Sequence, residues 1–189
     1  MDKLVVILVA FVWGGVEIYS QMQQRRRRGG APTAADRGSL IVLYACITVG
    51  YSVAFAVSYV PYGRLSVGQP FWLVVGAGFI AGGLWIRRSA MATLAAYFTY
   101  QAEIQADHRL VEEGLYQRIR HPGYLGQLLV FLGVGLALAN SLSIVGLLVP
   151  VTVGFVWRIR VEEAALRARF AERFDGYCRR TRRLIPWLY

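Results

Sequence analysis

The chain has 189 residues, 56% of them hydrophobic, with 21 Lys+Arg against 11 Asp+Glu and a formal net charge of +10. Soluble domains run about 45–50% apolar; here the excess falls in long blocks, which points to a membrane protein and turns the basic surplus toward anionic lipid rather than nucleic acid. Its 2 cysteines and 2 histidines lie far apart, which argues against a disulfide framework and a zinc site.

The first apolar block, 4–19, follows a short start with one lysine. It ends in "EIYSQMQQRRRR", with no small-x-small cleavage site. It is therefore expected to be a retained transmembrane helix rather than a signal peptide. The second block, 40–60, reaches the about 20 residues that a span needs. The third, 71–86, reaches it with its flanks. Its "GAGFIAGG" places Gly78 and Gly82 at GxxxG spacing, which predicts close helix approach there. No strand–turn–helix context supports a nucleotide loop. A weaker segment, 89–100, is expected as an interfacial or buried helix extending the third span.

The fourth and fifth blocks, 124–139 and 144–157, are short and separated by "NSLS". That predicts a tight helical hairpin through the bilayer, with Asn140 and the two serines at its turn and Pro150 kinking the second arm. Placing the N-terminus outside puts nineteen of the 21 lysines and arginines on the cytoplasmic side, leaving Lys3 and Arg64 outside. The expected fold is an all-α polytopic membrane protein with five transmembrane helices and the N-terminus outside. The run Arg25–Arg28 is a topology anchor that also touches anionic lipid.

Polar residues gather in two places, 101–124 and 158–166, and the hairpin returns the chain from the first to the second on one membrane face. Pro122 suits the first position of a helix, and a helix start attracts carboxylate or phosphate. Arg120 and His121 add donors beside it. Gly123 and Gly126 leave room, and Tyr116 and Tyr124 offer aromatic faces. The same residues also suit a plain interfacial cap with snorkelling arginine, and both readings stay open on these residues alone.

In the second place Arg158 and Glu162 share a helix face that continues through Leu166, Phe170, Phe174 and Tyr177. This predicts a C-terminal amphipathic helix with Arg158 and Glu162 pointing inward. Glu163 is rotated about 100° away, toward solvent or the cluster's edge. A surface ion pair is the plainer alternative; a carboxylate on a buried stripe at a membrane edge favours function. Glu17 is a separate intramembrane carboxylate that pairs with an arginine or lines the cavity.

"HRLVEEGLYQRIRHPGYLG", the hairpin and "RIRVEEAALRARFAERFDGYCRRTRRLIP" together resemble the isoprenylcysteine carboxyl methyltransferase family over 101–186. The resemblance implies an integral-membrane enzyme binding S-adenosylmethionine in a cytoplasmic pocket. It implies cofactor contacts at Gln101, at His108, Arg109, Leu110 and Val111, at Tyr116, at His121, Pro122, Gly123 and Tyr124, and at Glu162, with Arg109 in the variable slot of its run. It assigns Arg158 as the catalytic, substrate-binding arginine that takes the acceptor carboxylate. Residues 1–86 would form the acceptor side. Residues 87–189 would form the cofactor region, with the hairpin 124–157 and the C-terminal helix.

The implied reaction is carboxyl methylation of an isoprenylcysteine-like or other amphipathic acceptor entering from the bilayer. The expected site faces the cytoplasm from the cell's inner membrane, with membrane lipids as partners and neither metal nor nucleic acid. Other readings are a phospholipid amine or thiol methyltransferase, an NADPH-dependent reductase of the sterol type, and a non-catalytic membrane scaffold.

Overall fold

The computed structural model describes residues 34–94 and 110–185. The first apolar block with Glu17, the Arg25–Arg28 run, and Gln101, His108 and Arg109 lie outside the described residues. Four helices form the described part: α1 (Ala34–Ser58), α2 (Gln69–Leu94), α3 (Pro122–Ala137) and α4 (Ser141–Arg180). A short 3-10 turn, Gly114–Gln117, precedes α3. Three of the helices, α1, α2 and α4, are long and apolar enough to cross a membrane, and α3 is a shorter apolar helix. The five spans expected from the sequence therefore become three full-length candidates and one short arm among the described residues.

The third span extends past Ile86 as expected, because α2 continues unbroken to Leu94. The C-terminal amphipathic helix is a direct continuation of the last span. Helix α4 spans 40 residues, and its stretch before Ala171 alone is roughly 45 Å at 1.5 Å per residue, about one and a half times the hydrocarbon thickness. The part beyond Trp157 therefore stands out of the bilayer. Pro150 lies within α4 without ending it; the backbone leaves helical geometry at Ala171 instead (φ 43°, ψ −122°). That break divides the stripe running from Arg158 to Tyr177.

Helix α2 packs along α3, and α1 along α4, while α3 and α4 meet across their hairpin. The packing is built on small residues. Carbonyl oxygens of Gly126 and Gly133 on α3 lie where a Cβ on Gly83 or Gly76 of α2 would stand. Lipid tails are as apolar as leucine, so helices in a bilayer associate by close backbone approach rather than by burying large side chains. Among the described residues the expected GxxxG pair is not the contact: a Cβ on Gly78 or Gly82 would meet nothing within 4 Å. Large apolar side chains such as Val74, Trp85, Val145, Val149, Val153 and Trp157 are exposed, as a lipid-facing surface requires. Phe131, Leu147, Val151 and Phe155 fill the interior.

Asn140 organises the hairpin end. Its side-chain oxygen accepts from the backbone N–H groups of Leu142 (2.9 Å) and Ser143 (3.3 Å), capping α4. Its amide donates to the carbonyls of Val57, Val60 and Tyr62 (3.3, 3.5 and 3.0 Å). The loop after α1 is thereby tied to the hairpin turn. At the opposite end the same antiparallel packing gathers Ser39, Arg87, His121 and Arg158.

Candidate active site

The polar end begins with the stretch Arg118–His121, which pairs with the chain after α4. The Arg120 N–H donates to the Arg182 carbonyl (2.7 Å), the His121 N–H to that of Arg183 (3.0 Å), and the Arg182 N–H to that of Arg118 (3.0 Å). This short parallel pairing fixes the entry into α3. Pro122 then opens the helix at its first position, as the sequence leads one to expect.

From there a polar chain links three helices, α3, α4 and α1. The Tyr124 hydroxyl donates to Glu162 Oε1. Arg158 Nε donates to the same oxygen at 3.0 Å. Arg158 Nη1 donates to Ser39 Oγ at 2.6 Å. Both Arg158 and Ser39 are 0% exposed. His121 Nδ1 stands 3.6 Å from Glu162 Oε2, and its ring stacks on Tyr124 at 5.8 Å between centroids. Tyr124 leans in turn on Phe155. The structure thus brings together His121, Tyr124, Arg158 and Glu162. Gly123 joins them through its carbonyl, which accepts from Arg87 Nη1 at 3.5 Å.

Of the two places the sequence left open for Glu163, solvent and the cluster's edge, the structure takes the second. Glu163 is buried and lies deeper than Glu162, whose side chain is 20% exposed. Glu163 Oε1 accepts from Arg120 Nε at 2.8 Å, and Oε2 from Arg183 Nε at 2.9 Å. His121 Nε2 lies 3.4 Å from Oε1 without hydrogen-bond alignment. Burial alone would push the Glu163 carboxyl upward. His121, Arg183 and Arg120 outweigh it and hold the group well below the usual carboxylate range. Arg120, which the sequence offers as a donor beside the helix start, also donates to the Thr181 carbonyl (2.7 Å) and so serves the architecture.

The remaining expected contacts take supporting places. Leu110 packs with Phe174 and Tyr177, while Val111 packs with Ala90 and Tyr116. The Tyr177 hydroxyl donates to the Tyr116 carbonyl at 2.7 Å. Burial raises both phenols above their ordinary range, so they remain neutral hydroxyls. Ser39 and Arg183 escaped the sequence reading. A serine on an apolar helix and a charge in a basic tail carry no local mark of their partners.

An implied S-adenosylmethionine can be tested against two features. His121 Nε2 is a buried polar atom without a hydrogen bond among the described residues. Among the described residues, a Cβ on Gly123 would meet only Arg87 Nη1, at 3.9 Å. An unsatisfied donor or acceptor beside an open helix start fits a polar ligand of the cofactor's kind.

Comparison with known proteins agrees with this geometry. A family model for phospholipid methyltransferases matches residues 71–173. The similarity therefore reaches back through α2, beyond the segment 101–186. A probable protein-S-isoprenylcysteine O-methyltransferase of Oryza sativa subsp. indica is 32% identical over 124 residues, covering 64% of this chain and 65% of the relative. Protein-S-isoprenylcysteine O-methyltransferase A of Arabidopsis thaliana is 31% identical over 150 residues, covering 75% and 76%. The chain thus spans just under two thirds of the rice relative's length. A solved structure of the eukaryotic intramembrane Ras methyltransferase ICMT superimposes with a TM-score of 0.62 at 24% identity, over 77% of this chain and 52% of that one. With the polar chain at one end of a bundle of apolar helices, these matches show that the chain belongs to the isoprenylcysteine and phospholipid methyltransferase family of membrane proteins.

Proposed function

We propose that the protein is a membrane S-adenosylmethionine-dependent methyltransferase acting on the carboxylate of a prenylated or otherwise amphipathic acceptor. Its site opens to the cytoplasmic face. The observation that carries this reading is the buried chain Ser39–Arg158–Glu162–Tyr124 at the polar end of an apolar bundle. Such a place serves a substrate whose tail stays in lipid while its polar head reaches the site.

S-adenosylmethionine supplies, when bound, a sulfonium methyl group whose in-line transfer to a carboxylate needs alignment and little proton chemistry. The chain's own residues divide the task of alignment. Arg158 binds and orients the acceptor carboxylate with its planar fork of donors. Glu162 holds Arg158 in place and takes the cofactor's ammonium or ribose hydroxyls. His121 and the start of α3, with Pro122 and Gly123, hold the cofactor's carboxylate. Tyr124 closes the wall between them, and Leu110, Val111 and Tyr116 back it. Gln101, His108 and Arg109 complete the cofactor contacts on the strength of the resemblance. A guanidinium at the acceptor end supports a carboxylate over the amine of a phospholipid, because it attracts the first and repels the second.

Calorimetry on the purified protein with S-adenosylmethionine and with NADPH tests the reading. Heat from S-adenosylmethionine alone is expected. Heat from NADPH alone would favour a sterol-type reductase, and heat from neither would leave a non-catalytic scaffold. A labelled-methyl assay on an S-farnesylcysteine analogue and on a lipid extract then separates carboxyl from amine acceptors.

A further inference from the structure

We propose that Ser39, on the first described helix and outside the region matched by the family model, is a positioning residue for the acceptor end of the site. The inference rests on the reading of Arg158 above. Ser39 Oγ accepts from Arg158 Nη1 at 2.6 Å, and neither residue is exposed. Glu162 takes Nε of the same guanidinium at 3.0 Å. Two acceptors on different edges of a planar group fix both its rotation and its tilt.

The placement follows from how α1 lies on α4. A Cβ on Gly154 would stand 3.1 Å from the Cys46 Cβ and from Leu43. A Cβ on Gly50 would stand 3.0 Å from the Leu147 carbonyl. Near the hairpin end the Ser143 hydroxyl donates to the Ala54 carbonyl at 2.8 Å. These contacts lock the register of the two helices along their length, and that register delivers Ser39 to Arg158. The half of the chain without chemical motifs thereby sets the orientation of the Arg158 guanidinium. Arg158 loses an aligned partner, not its charge, when the hydroxyl is removed.

The test is steady-state methyl transfer to an S-farnesylcysteine analogue, with equilibrium binding of the analogue and of S-adenosylmethionine measured separately. Ser39→Ala should raise the KM and the Kd for the analogue about tenfold, the scale of one hydrogen bond to a charged group. S-adenosylmethionine affinity should stay within about twofold of the unsubstituted protein, because that half of the site is untouched. Ser39→Thr keeps the hydroxyl and should recover most of the loss. Ser39→Cys, close in size and a weak acceptor, reads the same quantity should alanine disturb the helix. In an Arg158→Lys background Ser39→Ala should add little. Unchanged analogue binding in Ser39→Ala, an equal loss of S-adenosylmethionine affinity, or threonine no better than alanine would each overturn the proposal. An Arg158→Lys variant with normal analogue affinity would instead sink the reading of Arg158 on which it rests.

Discussion

Arg183 reaches back twenty residues to grip Glu163, with Nε and Nη2 each 2.9 Å from one carboxylate oxygen. The grip ties the end of the described chain to the helix that carries Arg158 and Glu162. Arg120 completes it from the other side at 2.8 Å. Glu163→Ala leaves two guanidinium groups without their shared acceptor, so a loss of about 3 kcal/mol is expected. Thermal unfolding in detergent reads it. A midpoint within a degree of the unsubstituted protein would show that the cluster contributes nothing.

The same carboxyl predicts an acid limb. Its folded value lies below the ordinary 4.5, so its stabilisation is fully present above that pH. The contribution fades as pH falls from there toward the depressed folded value. Acid unfolding followed by circular dichroism should show this decline, and Glu163→Gln should flatten it. An identical acid profile in Glu163→Gln would remove the group from any account of acid lability.

Arg158→Ala should lower methyl transfer about a hundredfold, the loss that follows truncation of a buried charge partner. Calorimetric affinity for S-adenosylmethionine should survive. A collapse of that affinity would place Arg158 on the cofactor's side of the site instead.

Glycine spacing offers a paired comparison between α3 and α2. A Cβ on Gly133 would stand 2.5 Å from the Gly76 carbonyl oxygen, so Gly133→Ala should force α2 and α3 apart at a cost of about 1–3 kcal/mol. A Cβ on Gly78 would meet nothing within 4 Å among the described residues, and Gly78→Ala should be neutral or slightly stabilising. Unfolding in detergent of both variants checks the pair, and a larger loss at Gly78 would contradict the packing.

Asn140→Ala removes a helix cap and three bonds, one to the last turn of α1 and two to the loop after it. A loss of about 2–3 kcal/mol is expected, with proteolysis rising first in the loop 59–68. Unchanged protease resistance there would mean that the loop is held by other contacts.

Much of the site was legible because its signals are local. Pro122 at a helix start, the four-residue interval from Arg158 to Glu162, and Asn140 between two apolar arms each state their role within one turn of helix. Glu163 was not legible for the opposite reason. Its phase on α4 points away from the Arg158 stripe, and its burial comes from Arg120 and Arg183, which reach it from elsewhere in the chain. The glycines illustrate the same limit. Gly78 and Gly82 have the familiar spacing, yet which face of α2 meets α3 is decided by where Gly126 and Gly133 lie on the partner helix. Periodicity finds a face; it does not find what the face meets.

The pairing of residues 118–121 with the stretch after α4 also sets an order of events during synthesis. The apolar helices can enter the bilayer one after another, each on its own length and hydropathy. The entry into α3 cannot take its final form until Arg182 and Arg183 have emerged from the ribosome. Insertion and completion are therefore separate in time, and a chain stopped short of Thr181 would be threaded into the membrane with its polar end still unclosed.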